Sequence, residues 1–341
     1  MGSPETRQGR AGRDGGSGVG GCADRGARCW AARGCVVSAL VEARAHCESV
    51  TRERARHFYL GLRLTPRPRR DALFALYAWM READDIADDP HETIGARRAA
   101  LDAFAERTAS VLDDRDATAL GAMGVSLADA CARYPIERDV FTMTLEGLRA
   151  DLSQPTGEAV YADDAALDAY CRRVGSTVGR ACVAIWGLRA HADAGRASEL
   201  AVDRGIAFQR TNILRDIRED FETGRVYVPA SVLAAHGLTP SELAAWSPAG
   251  RCAALVRAQA AYARERYERS RALELMIAPD CVRVLRTMTG LYETILSRIE
   301  RDPSRVGRGR VRLSKPRKLA IVASSLVQPV PRAGMRERAR A

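Results

Sequence analysis

The 341-residue chain is expected to fold as an all-α protein, on three observations. Ala, Leu and Arg dominate, and aromatic residues make up only 6%, a balance that favours helices over strands. Apolar residues recur at three- and four-residue steps along most of the chain. No alternating apolar/polar pattern longer than four residues stands out. Hydrophobic residues reach 46%, so a sizeable core can form.

Taken in order, residues 1–35 are rich in Gly, Arg and Ser and lack apolar periodicity, which reads as a disordered extension. Order is expected from about Val36. A helix through Val50 leads into His57-Phe-Tyr-Leu-Gly-Leu-Arg-Leu-Thr-Pro66, where Pro66 and Pro68 interrupt it. Arg69 opens the next helix, with Leu73, Leu76, Trp79 and Met80 as its apolar partners, and Pro90 stops it. Further helical stretches cover 94–113, Leu120–Arg133 and Ile136–Ala150. Another starts near Ala165 and runs past Val174 and Val178 to Leu188, with Gly175 and Gly179 inside it. Those glycines are read either as close helix packing or as a helix break that widens a cavity. A long helix from about Ala197 to Phe221 ends at Thr223-Gly224, and Arg225-Val-Tyr-Val-Pro229 follows as an extended turn. Helices at 248–277 and 280–300 close the body. The expected division is one catalytic domain over 36–300 and a basic tail over 301–341.

The net charge of +10 is uneven. Residues 301–341 hold 12 Lys/Arg against 2 Asp/Glu, which leaves the rest of the chain near neutral. Such a tail suits an anionic membrane surface or nucleic acid, or is simply solvated. It carries no aromatic residue, which counts against base stacking, so no nucleic-acid partner is expected. No run of eighteen apolar residues is present, and Cys35–Val41 is too short for a signal peptide. The nine cysteines show no CxxC pairing. Cys22, Cys29 and Cys35 could make at most a loose metal site, and scattered reduced thiols are the simpler account. The expected location is cytoplasmic, peripheral to the inner face of the membrane through the tail.

Two acidic stripes carry the chemistry. Tyr77, Arg81, Asp84 and Asp88 follow at steps of four, three and four, which places them on one helix face, with Asp85 and Asp89 beside them. Like charges at that spacing repel, and Leu76, Trp79 and Ile86 surround them with apolar surface. A divalent cation would offset the repulsion. Gln209, Asn212, Asp216 and Asp220 repeat the pattern far downstream. Either stripe alone is also what a solvated helix face looks like. Turned toward each other, the two would form a carboxylate-lined cleft suited to Mg²⁺ and a phosphate or diphosphate.

With both stripes, Tyr170-Cys-Arg-Arg-Val-Gly-Ser-Thr-Val-Gly179 and Gly224-Arg-Val-Tyr-Val-Pro229 on the page, the chain resembles the squalene/phytoene synthase family of head-to-head prenyltransferases. The resemblance runs from about Phe58 to about Leu319. It implies a single-domain, isoprenoid-synthase-type helical bundle around a central cavity. It implies that Asp84, Asp88, Asp216 and Asp220 hold Mg²⁺ (with Mn²⁺ as a substitute) against a prenyl diphosphate, assisted by Asp85 and Asn212. Arg81, Gln209 and Arg225 match positions that bind diphosphate or its metal shell, with Tyr77 on the same stripe. Tyr170 matches a tyrosine near the reacting carbons, and Tyr292 a tyrosine that contacts diphosphate. Phe58, Val174, Val178 and Phe208 are candidate wall residues. His57 departs from the Ser that many members carry.

Within the family, Phe58–Pro66 and Asp-Asp-Ile-Ala-Asp88 are most similar to bacterial presqualene diphosphate synthases of hopanoid pathways, and phytoene and dehydrosqualene synthases share nearly every motif. The expected reaction joins two farnesyl diphosphates into presqualene diphosphate. NADPH is not expected to be required, since no Gly-rich dinucleotide fingerprint is present. Phytoene, dehydrosqualene or NADPH-dependent squalene formation are the alternatives. A terpene cyclase would carry a different second motif, and a non-catalytic relative would lack the acids.

Overall fold

In the computed structural model, residues 23–55 and 58–330 are described, with side chains from Ser38 onward except at Phe58. The protein is helical throughout, and the described residues form no strand beyond two isolated bridges. The first half comprises α1 (Ala23–Arg54), α2 (Phe58–Leu62), α3 (Arg69–Ala87), α4 (Ile94–Leu112), α5 (Gly121–Arg133) and α6 (Asp139–Leu152). Then come α7 (Asp164–Cys171), a π-helical turn over Arg172–Ser176, α8 (Thr177–Trp186) and α9 (Ala194–Glu222). The remainder holds α10 (Ala230–Ala235), α11 (Pro240–Ala244), α12 (Ala249–Arg269), α13 (Leu273–Met276), α14 (Val282–Arg301), α15 (Ser304–Gly307) and α16 (Lys315–Val327).

Helix α9 is the spine. It packs against α7, the π turn, α8, α11, α12, α13, α14 and α15, which leaves little of its surface to solvent. On the other side of the molecule α3 is gripped by α1, α4, α5, α6 and α8. Trp79 of α3 sits at the centre of that half. Its indole donates to Thr108 Oγ1 at 2.9 Å, and its ring meets Phe104 and Phe141 with centroids 5.8 and 4.9 Å away. A buried indole with its N–H satisfied anchors α3 without stranding a polar group.

Of the two readings of the 175/179 glycines, close helix packing describes what is seen. The helix loosens into the π turn at Arg172–Ser176, and α8 and α9 cross almost backbone to backbone. A Cβ on Gly175 would lie 2.8 Å from the Gly205 carbonyl oxygen, and one on Gly179 would lie 2.9 Å from that of Ala201. Helix α8 stops at Gly187, whose φ of 76° lies in the left-handed region that glycine tolerates.

Three boundaries differ from the sequence reading. Helix α1 is already formed at Ala23; the disorder expected for residues 1–22 lies outside the described residues. The helix expected over 248–277 breaks after Arg269, because fully buried Ser270 is captured: Arg204 donates to its Oγ at 2.8 Å and to its carbonyl at 3.0 Å. The chain beyond residue 300 does more than trail. Val306, Val311 and Leu313 are buried in the core around α9 and α12, and α16 lies on α14. The periodicity of the short α15 and the extended 308–314 segment is too brief to announce that burial.

A buried ionic network ties α7 to α9 and α12. Arg210, only 2% exposed, donates to Asp168 at 2.7 and 2.9 Å and to Asp164 at 2.5 Å, while Arg266 and Tyr262 reach the other Asp168 oxygen at 2.5 and 2.8 Å. Asp168 is thereby fully satisfied, as a buried carboxylate must be. Tyr170, two residues on, inherits a fixed position.

Candidate active site

The two acidic stripes face one cavity of about 400 Å³. Asp84 and Asp88 enter from α3, and Gln209, Asn212, Asp216 and Asp220 from α9. Tyr170 lines it from α7, and Arg225 and Tyr227 from the segment after α9. That segment is held by the Arg225 amide donating to the Asp220 carbonyl at 2.8 Å and by a bridge between Ala159 and Val226.

Burial and the crowding of like charge push Asp84 up to about 7, with Asp88, Asp85 and Asp151 adding to the effect and Arg81 opposing it. Asp220 also rises to about 7, through burial and then Asp216. The other acids hold guanidinium groups. Arg225 reaches Asp88 at 2.5 Å, Arg215 chelates Asp216 at 2.5 and 2.8 Å, and Arg310 meets Asp216 at 3.2 Å. Burial acts to lower the Arg225 and Arg215 guanidinium groups, but Tyr227 and Asp88 around Arg225, and Asp216 beside Arg215, outweigh it and hold both above their ordinary values.

Whether these residues suit a hard divalent cation can be judged from the donors themselves. They are oxygen ligands on two facing helices, two of the acids resist ionisation without a cation, and the buried Asn212 Oδ1 has no hydrogen-bond partner. That set fits Mg²⁺ or Mn²⁺ completed by water and phosphate oxygens. As they stand, the described residues form no preassembled cluster of three metal-ligating side chains, the Cys29 and Cys35 side chains and Cys22 being outside the description.

Other expected residues lie off the cavity. Asp85 sits a further 100° round α3, where Arg54 chelates it at 2.6 and 2.7 Å and Arg81 closes on it from one turn away. Arg81 therefore turns to Asp85 and away from the cavity lining, although it shares the Asp84 stripe. Tyr77 is half-buried, and burial raises its phenol. Tyr292 is buried on α14 behind α9, stacked on Phe208 with centroids 4.4 Å apart, and hydrogen-bonds with Asn212. It reaches the site through Asn212. The Phe58 side chain and His57 lie outside the described residues.

The cavity also contains residues that the stripes do not announce: Asp151 at the end of α6, Tyr227, Arg215 and Arg310. Asp151 accepts a hydrogen bond from the Tyr170 phenol at 2.8 Å. Tyr227 had a legible signal, since Arg225 and Tyr227 alternate on an extended segment and so share a face. Asp151 had none beyond being a lone acid near a helix end.

Beside the acids, on the adjoining face of α9 and nearer its N-terminus, lies a narrow apolar pocket with about 50 Å³ of free space. Gly175, Val178, Phe208, Trp186, Leu285 and Met288 are among its lining residues. Val174 lines the acidic cavity itself.

The squalene/phytoene synthase family profile matches residues 51–317. The chain belongs to that family. It is a head-to-head prenyltransferase. The phytoene synthase of Mycobacterium tuberculosis is 36% identical over 293 residues, which is 83% of this chain and 90% of that protein. The presqualene diphosphate synthase of Zymomonas mobilis is 37% identical over 195 residues, 56% of this chain and 62% of that protein. Among solved structures, the squalene synthase HpnC from Alicyclobacillus acidocaldarius matches with a TM-score of 0.68 at 25% identity, covering 80% of this chain and 96% of that one. A dehydrosqualene synthase shares the fold with a TM-score of 0.72 at 23% identity, over 85% and 98% of the two chains.

Proposed function

We propose that this family member condenses two farnesyl diphosphates into presqualene diphosphate. The observation that supports this reading best is the arrangement along α9, whose one face lines an acidic cavity and whose adjoining face lines an apolar pocket. A diphosphate head and a prenyl tail need just such neighbours. The Phe58–Pro66 and Asp84–Asp88 segments, which resemble those of presqualene diphosphate synthases, support the shorter of the two prenyl chains.

Asp84 and Asp88 on α3, with Asn212, Asp216 and Asp220 on α9, would hold Mg²⁺, and Asp85 would assist. Bound Mg²⁺ supplies Lewis-acid charge that eases departure of the allylic diphosphate. Arg225, Arg215 and Arg310, now held by carboxylates, are placed to take diphosphate oxygens as bidentate donors. Gln209 borders the same space. Arg81, Tyr77 and Tyr292 act from behind the lining residues. The apolar pocket keeps water from the allylic cation. The double bond of the second prenyl chain attacks that cation, and loss of a proton near Tyr170 closes a cyclopropane.

A second reading has a specific observation in its favour. The mycobacterial phytoene synthase matches 83% of this chain, against 56% for the presqualene diphosphate synthase, which favours geranylgeranyl diphosphate as substrate. Purified protein with Mg²⁺ and either diphosphate, with and without NADPH, followed by product mass analysis, separates the readings. Presqualene diphosphate from farnesyl diphosphate without NADPH is the expected outcome. Phytoene, dehydrosqualene or NADPH-dependent squalene as the main product would overturn it.

Contact with an anionic bilayer is part of the proposal. No helix among the described residues is long and apolar enough to cross a membrane, but α16 exposes Leu319, Leu326 and Val327 within the strongly basic C-terminal region. Basic and apolar groups on one surface helix suit a peripheral site.

A further inference from the structure

Asp151 ends α6 inside the acidic cavity, and none of the groups proposed above for metal or diphosphate makes use of it. Its Oδ2 accepts the Tyr170 phenol at 2.8 Å, and its Oδ1 accepts the Gln154 amide at 2.8 Å. The Tyr227 hydroxyl lies 3.5 Å from that of Tyr170, and the two rings stack with centroids 5.3 Å apart. Tyr161 completes an aromatic wall, 5.3 Å from Tyr170 and 6.3 Å from Tyr227. Among the described residues no guanidinium or ammonium group is hydrogen-bonded to Asp151, although arginines hold Asp88 and Asp216 nearby.

Tyr227 hydrogen-bonds with Asp151 as well, and despite these donors the carboxylate has a raised affinity for a proton. Burial is the largest cause, bringing Asp151 to about 6; Asp88 adds to it, while Tyr170, Arg225 and Tyr227 oppose it. Asp84 from α3 and Asp220 from α9 face it through space as well. Burial also lifts the Tyr170 phenol well above its ordinary value, so the phenol is neutral and its hydrogen points at Asp151.

We infer that Asp151 receives, through Tyr170, the proton lost when the cyclopropane closes, with Tyr227 holding the phenol in line. In that step a C–H bond of the carbocation breaks, and its electron pair forms the closing C–C bond. The proton passes to Tyr170 Oη while the phenol's own proton passes to Asp151 Oδ2. A cation and a carboxylate thus become a neutral ring and a neutral acid. Asp151 lines the cavity too, but in this step it acts through Tyr170, as a positioning residue and proton acceptor. The inference rests on the ring closure proposed above and is independent of prenyl chain length.

The test compares wild type, Asp151→Asn, Asp151→Glu, Tyr170→Phe and the Asn/Phe double variant. Each receives Mg²⁺ and whichever of farnesyl or geranylgeranyl diphosphate the wild type converts. Asp151→Asn should lose roughly 10²-fold in kcat, the usual scale for a lost acid–base group, with KM little changed. Diphosphate release should outrun cyclopropyl product, because the coupled cation that keeps its proton is captured by water as a tertiary alcohol carrying both prenyl units. Asp151→Glu should recover part of the loss, and the double variant should be no worse than the poorer single variant, as expected of groups in one series. Circular dichroism and thermal melting establish folding, and Asp151→Glu carries the same product-partition test if the Asn variant is unstable. Near-wild-type kcat and tight coupling of diphosphate release to product in Asp151→Asn would overturn the relay, as would losses that multiply in the double variant. Conversion of geranylgeranyl diphosphate alone by the wild type would overturn the substrate choice above and leave the relay test intact.

Discussion

Asp84 and Asp220 show how a single side chain can serve chemistry at the expense of the empty fold. Both carboxyls are shifted upward from the ordinary 3.8 to about 7. The neutral form is therefore the one the fold prefers. Below pH 4 no penalty applies; it grows as pH rises from 4 toward 7 and is complete above 7. Asp84→Asn or Asp220→Asn should raise the stability of metal-free protein at pH 7.5 by roughly 1–2 kcal/mol, after allowance for solvent in an open cavity. The gain should shrink toward zero near pH 4, as thermal melts in a chelator would reveal. The same variants should lose prenyl diphosphate turnover, and Mg²⁺ with diphosphate should no longer raise their melting temperature as it does for wild type. A wild type more stable than either Asn variant at pH 7.5 without metal would contradict the electrostatic account.

At the scale of elements, the crossing of α8 and α9 is the tightest joint around the site. A Cβ at Gly205 would stand 2.5 Å from Ser176 Cα and 2.7 Å from the Gly175 carbonyl oxygen, and neither backbone atom can step aside. Gly205→Ala should cost about 1–3 kcal/mol through overpacking. It should also lower kcat, since Val174 and Val178 ride on the displaced segment. Gly250→Ala is the control. Nothing lies within 4 Å of its added methyl group, so urea unfolding should find it neutral or slightly more stable. The acidic helices were legible in the sequence to within a few residues, because strict four-residue spacing survives any packing. Arg69 as the start of α3 and Glu222 as the end of α9 lie close to the positions expected. The break at Ser270 was not legible, since it depends on Arg204 arriving from 66 residues away. Arg81 stands on the acidic stripe and Asp85 beside it, with site roles implied by the family resemblance; in the fold Asp85 pairs with Arg54 from α1 and with Arg81. Asp151 and Arg310 reach the cavity only through tertiary packing, and no local pattern marks them.

For the molecule as a whole, positive charge gathers at the C-terminal end, where α16 also exposes Leu319, Leu326 and Val327. The full chain should sediment with vesicles containing anionic lipid, should bind neutral vesicles far less, and should lose binding as salt rises. Replacing Leu326 and Val327 with Glu should weaken binding without altering turnover of dispersed substrate; equal binding to neutral and anionic vesicles would refute the surface. The helical class was readable from composition and periodicity, and the family resemblance from the two acidic stripes with Tyr170–Gly179 and Gly224–Pro229. The part played by residues 301–330 was not, because a basic stretch looks alike in sequence whether it trails in solvent or folds back onto the body.

Arg310 also sets an order in time. Helices α3 and α9 are both synthesised well before residue 310, so the hydrophobic body can collapse around its acids while translation continues. The guanidinium that meets Asp216 arrives only with the last tenth of the polypeptide. A chain that stopped just short of it would leave Asp216 to Arg215 alone among its described guanidinium partners.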